Sequence, residues 1–127
     1  ARSLMDLGKE MEPTLPDVLV ASQEMIDKRP QAVRATVAAI NKAVVYMRNN
    51  REWALKYLKE FTEEKDDKVN SLTYEKVVAE LSQDGVVKPE WISNSLNIAA
   101  KVWEIDALRK VKPEDLYTNA FLPGAAK

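Results

Sequence analysis

One segment, residues 30–50, constrains the fold of this chain more than any other. Its apolar residues recur at spacings of four, three, four and three, as Val33, Val37, Ile40, Val44 and Met47. A row with these spacings lies on one face of an α-helix, because each turn takes about 3.6 residues. Pro30 suits the first helical position, where its missing N–H is not needed. The pattern predicts a helix that ends at Asn49-Asn50, with Arg34, Asn41, Lys42 and Arg48 mostly off the apolar row.

The residues before this helix follow a different pattern. Val18–Ala21 is a continuous apolar run entered through Pro16-Asp17. Such a run is typical of a buried strand, here over 17–21, although a buried helical turn has the same pattern. Ser22 offers a hydroxyl N-cap for a short helical turn that Pro30 then ends. Leu4–Leu7, which Gly8 follows, is a second candidate strand.

Three more helices are predicted downstream. The first runs from Arg51 to Phe61 or Thr62, with Asn50 as its N-cap. The second ends near Ser82 before Asp84-Gly85, and the third begins at Pro89. A last short turn begins at Lys112. The predicted core faces are Ala54, Leu55, Leu58 and Phe61; then Tyr74, Val77, Val78 and Leu81; then Ile92, Leu96, Ala99 and Trp103, widened by Ile98, Val102 and Ile105.

Two clusters in this part of the chain suggest a site. Trp53, Tyr57 and Phe61 form an aromatic stripe, which is either a ligand box or packing against the long helix; we favour packing. Glu63–Lys68 contains four acids in six residues. These acids are contiguous and lack the glycine turn of a Ca²⁺ loop, so we interpret the run as a solvated linker that starts a helix.

Composition narrows the chemistry further. The chain has 127 residues, 46% hydrophobic and 31% charged, with a net charge of −1. These values are typical of one globular domain and provide no general attraction to nucleic acid. The chain has no cysteine and no histidine, which removes thiolate chemistry and the commonest general base and metal ligand. No phosphate loop or nucleophile motif occurs, so we expect no catalytic residue, no metal, no cofactor and no enzyme activity.

Four segments share a pattern with a known family. They are Val20-Ala21-Ser22 at the end of the predicted strand, Arg29-Pro30, the helix rich in Ala and Val from Gln31, and Asn50-Arg51-Glu52-Trp53-Ala54. Together with QDGVVKPEWI and DLYTNAFLP, they resemble the C-terminal part of periplasmic substrate-binding proteins of ABC importers. The most similar branch serves taurine, alkanesulfonates, nitrate and thiamine-precursor pyrimidines.

The resemblance implies a fold. It indicates a fragment of a periplasmic-binding-protein-like (type II) α/β fold, whose two lobes close on a solute. Residues 1–22 would form the hinge and the crossing strand, and residues 23–123 the helices that cover one lobe, within a single domain 1–127. We therefore expect a mostly α chain with four or five helices and one or two short strands.

The resemblance also implies a function. A protein of this family captures a small polar or anionic solute, such as a sulfonate, taurine, nitrate or a pyrimidine, and delivers it to an ABC permease. We expect a periplasmic or extracellular location, with a lipid anchor as an option in the full-length protein. Met5, Asp6 and Leu7 would lie nearest the hinge and are the candidate ligand-binding residues. The alternative is a self-contained helical module that holds a peptide or partner helix in a groove.

Self-association of the 127-residue chain is a further expectation. In the family, a sheet covers these helices, and most of that sheet is missing from this sequence. The wide apolar arc of residues 92–105 and the edge at Val18 and Val20 would then be left bare, and bare edges and patches of this kind favour association. We therefore expect a dimer or higher oligomer of this chain and a monomeric full-length protein.

Overall fold

A computed structural model describes residues 10–15 and 17–124. Over these residues the chain forms five α-helices: α1 (Gln23–Lys28), α2 (Pro30–Asn49), α3 (Arg51–Thr62), α4 (Asp67–Glu80) and α5 (Pro89–Val102). Two short 3₁₀ segments follow, Asp106–Lys110 and Pro113–Asp115. The described residues contain no strand. The prediction of a mostly helical chain is confirmed, and the two-lobe α/β fold stays a prediction.

The chain divides into two compact units. We call residues 22–86 and 121–124 the α2 unit, and residues 10–15, 17–21 and 87–120 the α5 unit. The α2 unit contains helices α1 to α4, and the α5 unit contains α5 and both 3₁₀ segments. Each unit is described separately below.

Local signals set the start of α1 and α2. The Ser22 hydroxyl accepts the N–H of Met25 at 3.2 Å and so caps α1. Helix α1 stops at Arg29 because Pro30 has no N–H with which to continue the helical hydrogen bonds. Pro30 instead occupies the first turn of α2, where no N–H is required. The predicted start of the long helix is therefore confirmed.

The inner face of α2 differs from the predicted row. Val33 is buried, and Val37, Val44 and Met47 are half-buried, as expected. Ile40, however, is 44% exposed. Arg34, Asn41 and Arg48, which we placed mostly off the row, are half-buried instead. The placement of Ile40 and of these three polar residues was wrong because the helix turns a partly polar face inward.

Arg48 shows why the polar face is turned inward. Its guanidinium donates to the carbonyl oxygens of Val78 and Leu81, each at 2.5 Å. These carbonyls lie at the end of α4, where helix carbonyls lack partners within the helix and carry partial negative charge. Arg48 therefore satisfies the C-terminus of α4 with a cation that α2 supplies.

A second bond joins the same two helices. Tyr74 of α4 is buried, and its hydroxyl donates to the carbonyl oxygen of Met47 at 3.0 Å. Ala54 of α3 is also buried, at 4% exposure. The core of the α2 unit therefore forms where α2, α3 and α4 meet, as the positions of Tyr74 and Ala54 on the predicted faces indicated.

The connection between α3 and α4 is held by polar side chains. Glu63 ends α3 in the left-handed conformation, with φ of 57°. The Asp66 carboxylate caps α4 by accepting the N–H groups of Lys68 and Val69. Asn70 is buried and donates from Nδ2 to the carbonyl oxygens of Glu64 and Asp66. The acidic run thus acts as a linker that starts a helix, as we interpreted it.

The α5 unit is tied together mainly by side-chain amides and hydroxyls. The amide of Asn94 donates to the carbonyl of Pro13 at 2.9 Å, and the N–H of Leu15 donates to the Ser95 hydroxyl at 3.2 Å. The Asn119 amide accepts the N–H of Val87 and donates to its carbonyl, at 3.0 and 2.9 Å. Residues 13–15 are therefore anchored to α5, and Asn119 is anchored to Val87 just before it.

The end of α5 differs from the prediction. The helix stops at Val102, and Glu104 follows with φ of 55°. Trp103, which we assigned to the buried face, is 67% exposed. Helical periodicity does not extend past Val102, so the assignment of Trp103 was wrong. Ala100, at 1% exposure, is the best buried residue of α5.

The strand predicted over 17–21 is not formed in this structure. Val18, Leu19 and Val20 are 57%, 54% and 81% exposed, and residues 17–21 pair with no described residue. A strand needs a neighbour that accepts and donates ladder hydrogen bonds, and the described residues supply none. The second candidate strand, Leu4–Leu7, lies outside the described residues.

Candidate functional site: an exposed row of aromatic rings

The candidate ligand-binding residues from the sequence cannot be placed in the structure. Met5, Asp6 and Leu7 lie outside the described residues, so their role stays a prediction. The best-defined surface feature of the described residues is a different one, in the α2 unit.

Four aromatic rings form a continuous row along the end of α2 and the length of α3. Tyr46 meets Trp53 edge to face, with ring centroids 5.1 Å apart. Trp53 stacks on Tyr57 at 5.5 Å, and Tyr57 stacks on Phe61 at 6.1 Å. We call Tyr46, Trp53, Tyr57 and Phe61 the aromatic row.

The sequence of α3 explains the position of the row. Residues four apart lie on one face of a helix and can touch, which brings Trp53, Tyr57 and Phe61 into a single stack. The inward face of α3 is the adjacent one, with Ala54 buried and Leu55 and Leu58 half-buried. The stripe was visible in the sequence, but its exposure was not.

Exposure decides between the two interpretations of the stripe. Tyr46, Trp53, Tyr57 and Phe61 are 50%, 47%, 53% and 75% exposed. Packing against the long helix, which we favoured, holds only where Trp53 meets Tyr46. The assignment of Phe61 to the core was wrong.

The row is not a slot for a planar ligand either. Insertion of a flat group between two rings needs a centroid separation of about 7 Å, twice a van der Waals contact. The stacked pairs are closer than this, at 5.5 and 6.1 Å. The row therefore presents ring edges and outer faces, a surface that suits contact with another apolar surface.

A small polar cluster lies between α3 and α4. The Arg51 guanidinium donates to the Ser71 hydroxyl at 2.6 Å and to the Glu75 carboxylate at 3.3 Å. The same guanidinium lies 5.5 Å from the centre of the Tyr74 ring. Both members of the ion pair are about half exposed, so the pair contributes little stability. We interpret this cluster as helix packing.

A shallow depression also lies beside α3. It measures about 260 Å³ and is lined by Leu55, Lys56, Lys59, Asp67 and Asn70. The Lys59 ammonium is paired with the Asp67 carboxylate at 2.7 Å. Pockets for small organic ligands usually measure about 300–1,000 Å³ and enclose most of the ligand. The depression is smaller than this, and two of its three charged groups, Lys59 and Asp67, already pair with each other.

Within residues 10–15 and 17–124, no cluster of three or more carboxylate, imidazole or thiol side chains has an arrangement that could hold a metal ion. Among the helices described, none has the length and apolar character needed to cross a membrane.

Comparison with known proteins adds no relative. No protein-family model, curated protein or solved structure matches the chain.

Proposed function

We propose that this chain is the C-terminal part of the solute-binding component of an ABC importer. In this proposal, the whole protein captures a small polar or anionic solute and delivers it to a membrane permease. The supporting observation is the order of local structure around residue 30. Residues 17–21, which form neither helix nor strand, are followed by a short helix, a break at Arg29-Pro30, a 20-residue helix and a one-residue junction at Asn50. The resemblance implies the same order of helices.

The test is solute binding by the native protein that contains this chain. Titration calorimetry with taurine, an alkanesulfonate, nitrate and a thiamine-precursor pyrimidine should detect one binder. Asp6→Asn should weaken that binding, whereas Asp115→Asn, a change of the same kind at an exposed position, should not. If the native protein binds none of the four solutes, the proposal fails.

The 127-residue chain alone should bind these solutes weakly or not at all. A cleft between two lobes requires both lobes, and the resemblance covers only the last part of one such protein. Micromolar affinity of the isolated chain in the same calorimeter would contradict this expectation. It would require a complete site within these residues.

A second candidate function rests on the aromatic row. An exposed row of rings on one helix suits a helical module that binds an apolar partner, the alternative that the sequence left open. Tyr57→Ser would remove the central stacked ring and should abolish binding of such a partner. Val69→Ser is the control, because Val69 is similarly exposed but lies on α4 outside the row. If the native protein with Tyr57→Ser bound such a partner as well as the parent protein does, this candidate would be excluded.

A further inference from the structure

We propose that segment 17–21 pairs with the same segment of a second copy of this chain, as an antiparallel two-stranded ladder centred on Leu19. The inference does not rest on the proposed transport function. It begins from the exposure of Val18, Leu19 and Val20, which are between 54% and 81% exposed. Their peptide groups bond to no described residue, and β-branched residues favour strands.

Within the segment, Val18-Leu19-Val20 is symmetric about Leu19. In an antiparallel pair centred there, each Val18 faces a Val20 of the other copy, and Leu19 faces Leu19. Directly opposed side chains of this kind stabilise a sheet, and the arrangement has the two-fold symmetry of most dimers. The segment is therefore complementary to itself.

Charge selects the antiparallel direction. A parallel pair in register would place Asp17 beside Asp17, and like charges on neighbouring strands are destabilising. The antiparallel pair places Asp17 opposite Ala21 instead. The ladder is also bounded, because Pro16 has no N–H to donate and Ser22 caps α1.

Hydrogen bonds to α5 anchor the residues that precede segment 17–21. Leu15 is bonded to Ser95 on α5, and Pro13 is bonded to Asn94. Ile98 and Val102 lie three and seven residues beyond Ser95, on the same helical face. The strand and this apolar face therefore start from one anchoring point in the α5 unit.

A five-residue ribbon alone is only marginally stable, so further contact area is needed. Within residues 17–21 and 87–120 of the α5 unit, eight large apolar side chains are at least 36% exposed: Val18, Leu19, Val20, Ile98, Val102, Trp103, Ile105 and Leu116. At on the order of 100 Å² for a full aliphatic side chain and 200 Å² for Trp, they expose roughly 500 Å² per copy. Two copies would hide about 1,000 Å², close to the lower limit of specific interfaces. We therefore expect a dimer of micromolar stability.

The test uses the two-fold position of Leu19. Leu19→Lys and Leu19→Glu each place like charges opposite each other, so each variant alone should be monomeric by sedimentation velocity at about 10–200 µM, where the parent chain dimerises. An equimolar mixture places Lys opposite Glu and should restore the dimer. Val45→Lys, at an exposed position of α2, should dimerise like the parent. Circular dichroism should report the parent helix content for every variant.

Three outcomes would overturn the inference. A parent chain that stays monomeric throughout this range shows that the segment does not pair. Single variants that still dimerise place the interface elsewhere. A mixture that stays monomeric excludes the register centred on Leu19. None of these measurements involves a solute, so they leave the proposed function untouched.

Discussion

Individual polar side chains determine the details of the α2 unit. Asn70 donates to the backbone carbonyls of Glu64 and Asp66, and Arg48 donates to those of Val78 and Leu81. Gly85 lies so close to the Leu122 side chain that an added Cβ would be 3.0 Å from it. Arg48 and Gly85 therefore meet residues that are distant in the chain, and Asn70 holds the connection between α3 and α4.

Asn70→Ala should lower the free energy of unfolding by about 1–3 kcal/mol, because the Glu64 carbonyl loses its side-chain donor and the Asp66 carbonyl keeps only the backbone N–H of residue 70. Urea unfolding followed by circular dichroism would measure the change. Asn97→Ala, at an exposed position of α5, is the matched control and should be nearly neutral. Equal effects of the two changes would mean that the Asn70 bonds contribute nothing specific.

Gly85→Ala should also destabilise the protein, by about 1–3 kcal/mol. Gly85 has φ of +73°, and an added Cβ would lie 3.0 Å from Leu122 Cδ2 and 3.3 Å from Asn41 Oδ1. Gly124→Ala separates the two causes, since Gly124 has φ of +83° with no atom within 4 Å of its added Cβ. Thermal unfolding should show the larger loss for Gly85→Ala. A larger loss for Gly124→Ala would contradict the role of the Leu122 contact.

At the scale of elements, most helix ends follow from local chemistry. Pro30 and Pro89 begin helices, Asp66 caps α4, and a single residue, Asn50, separates α2 from α3. The ends of α3 and α5 are different, because glutamates, Glu63 and Glu104, have the left-handed conformation that glycine usually takes after a helix. Glu63 is therefore a strained end of an otherwise well-formed helix.

Glu63→Gly should stabilise the protein by about 0.5–1 kcal/mol, because the left-handed conformation costs an L-residue more than it costs glycine. The same change inside the helix, Glu60→Gly, should instead destabilise it by about 1 kcal/mol. Chemical unfolding of both variants should show a higher free energy of unfolding for Glu63→Gly and a lower one for Glu60→Gly. If both changes destabilised the protein, the Glu63 side chain would stabilise the fold by more than the left-handed conformation of its backbone costs.

At the scale of the whole molecule, burial is unequal between the two units. The α2 unit contains Val33, Ala54, Asn70 and Tyr74 as buried residues, whereas the α5 unit contains Ala100 as its buried residue among those described. On the predicted buried face of α5, Ile92, Leu96 and Ala99 are only half-buried, and Ile98, Val102, Trp103 and Ile105 are exposed. Regions with few buried contacts open more readily.

Hydrogen exchange should therefore separate the units. We expect amides of α2 and α4 to exchange more slowly than amides of α5 when the chain is dilute and monomeric, because opening α5 exposes less buried surface. Mass spectrometry of peptides from each helix measures this order. Equal protection of α5 and α4 would show that the α5 unit has more stability than its burial indicates.

The sequence alone determined where most of the helices begin and end. The signals are the apolar period of α2, the prolines at residues 30 and 89, and the polar caps. Each depends on a few neighbouring residues, so it can be recognised without knowledge of the fold. The aromatic row was visible in the same way, as residues four apart on one helix. The sequence also indicated Met5, Asp6 and Leu7 as binding residues, and that stays a prediction.

The tertiary structure decided which faces are buried. Ile40 is exposed and Arg48 is turned inward because the carbonyls at the end of α4 need a donor, and no spacing along α2 contains that information. Phe61 is exposed because α3 has Ala54 as its innermost residue instead. Segment 17–21 forms no strand because a strand requires hydrogen bonds to a neighbour, and a neighbour is a property of the assembled chain.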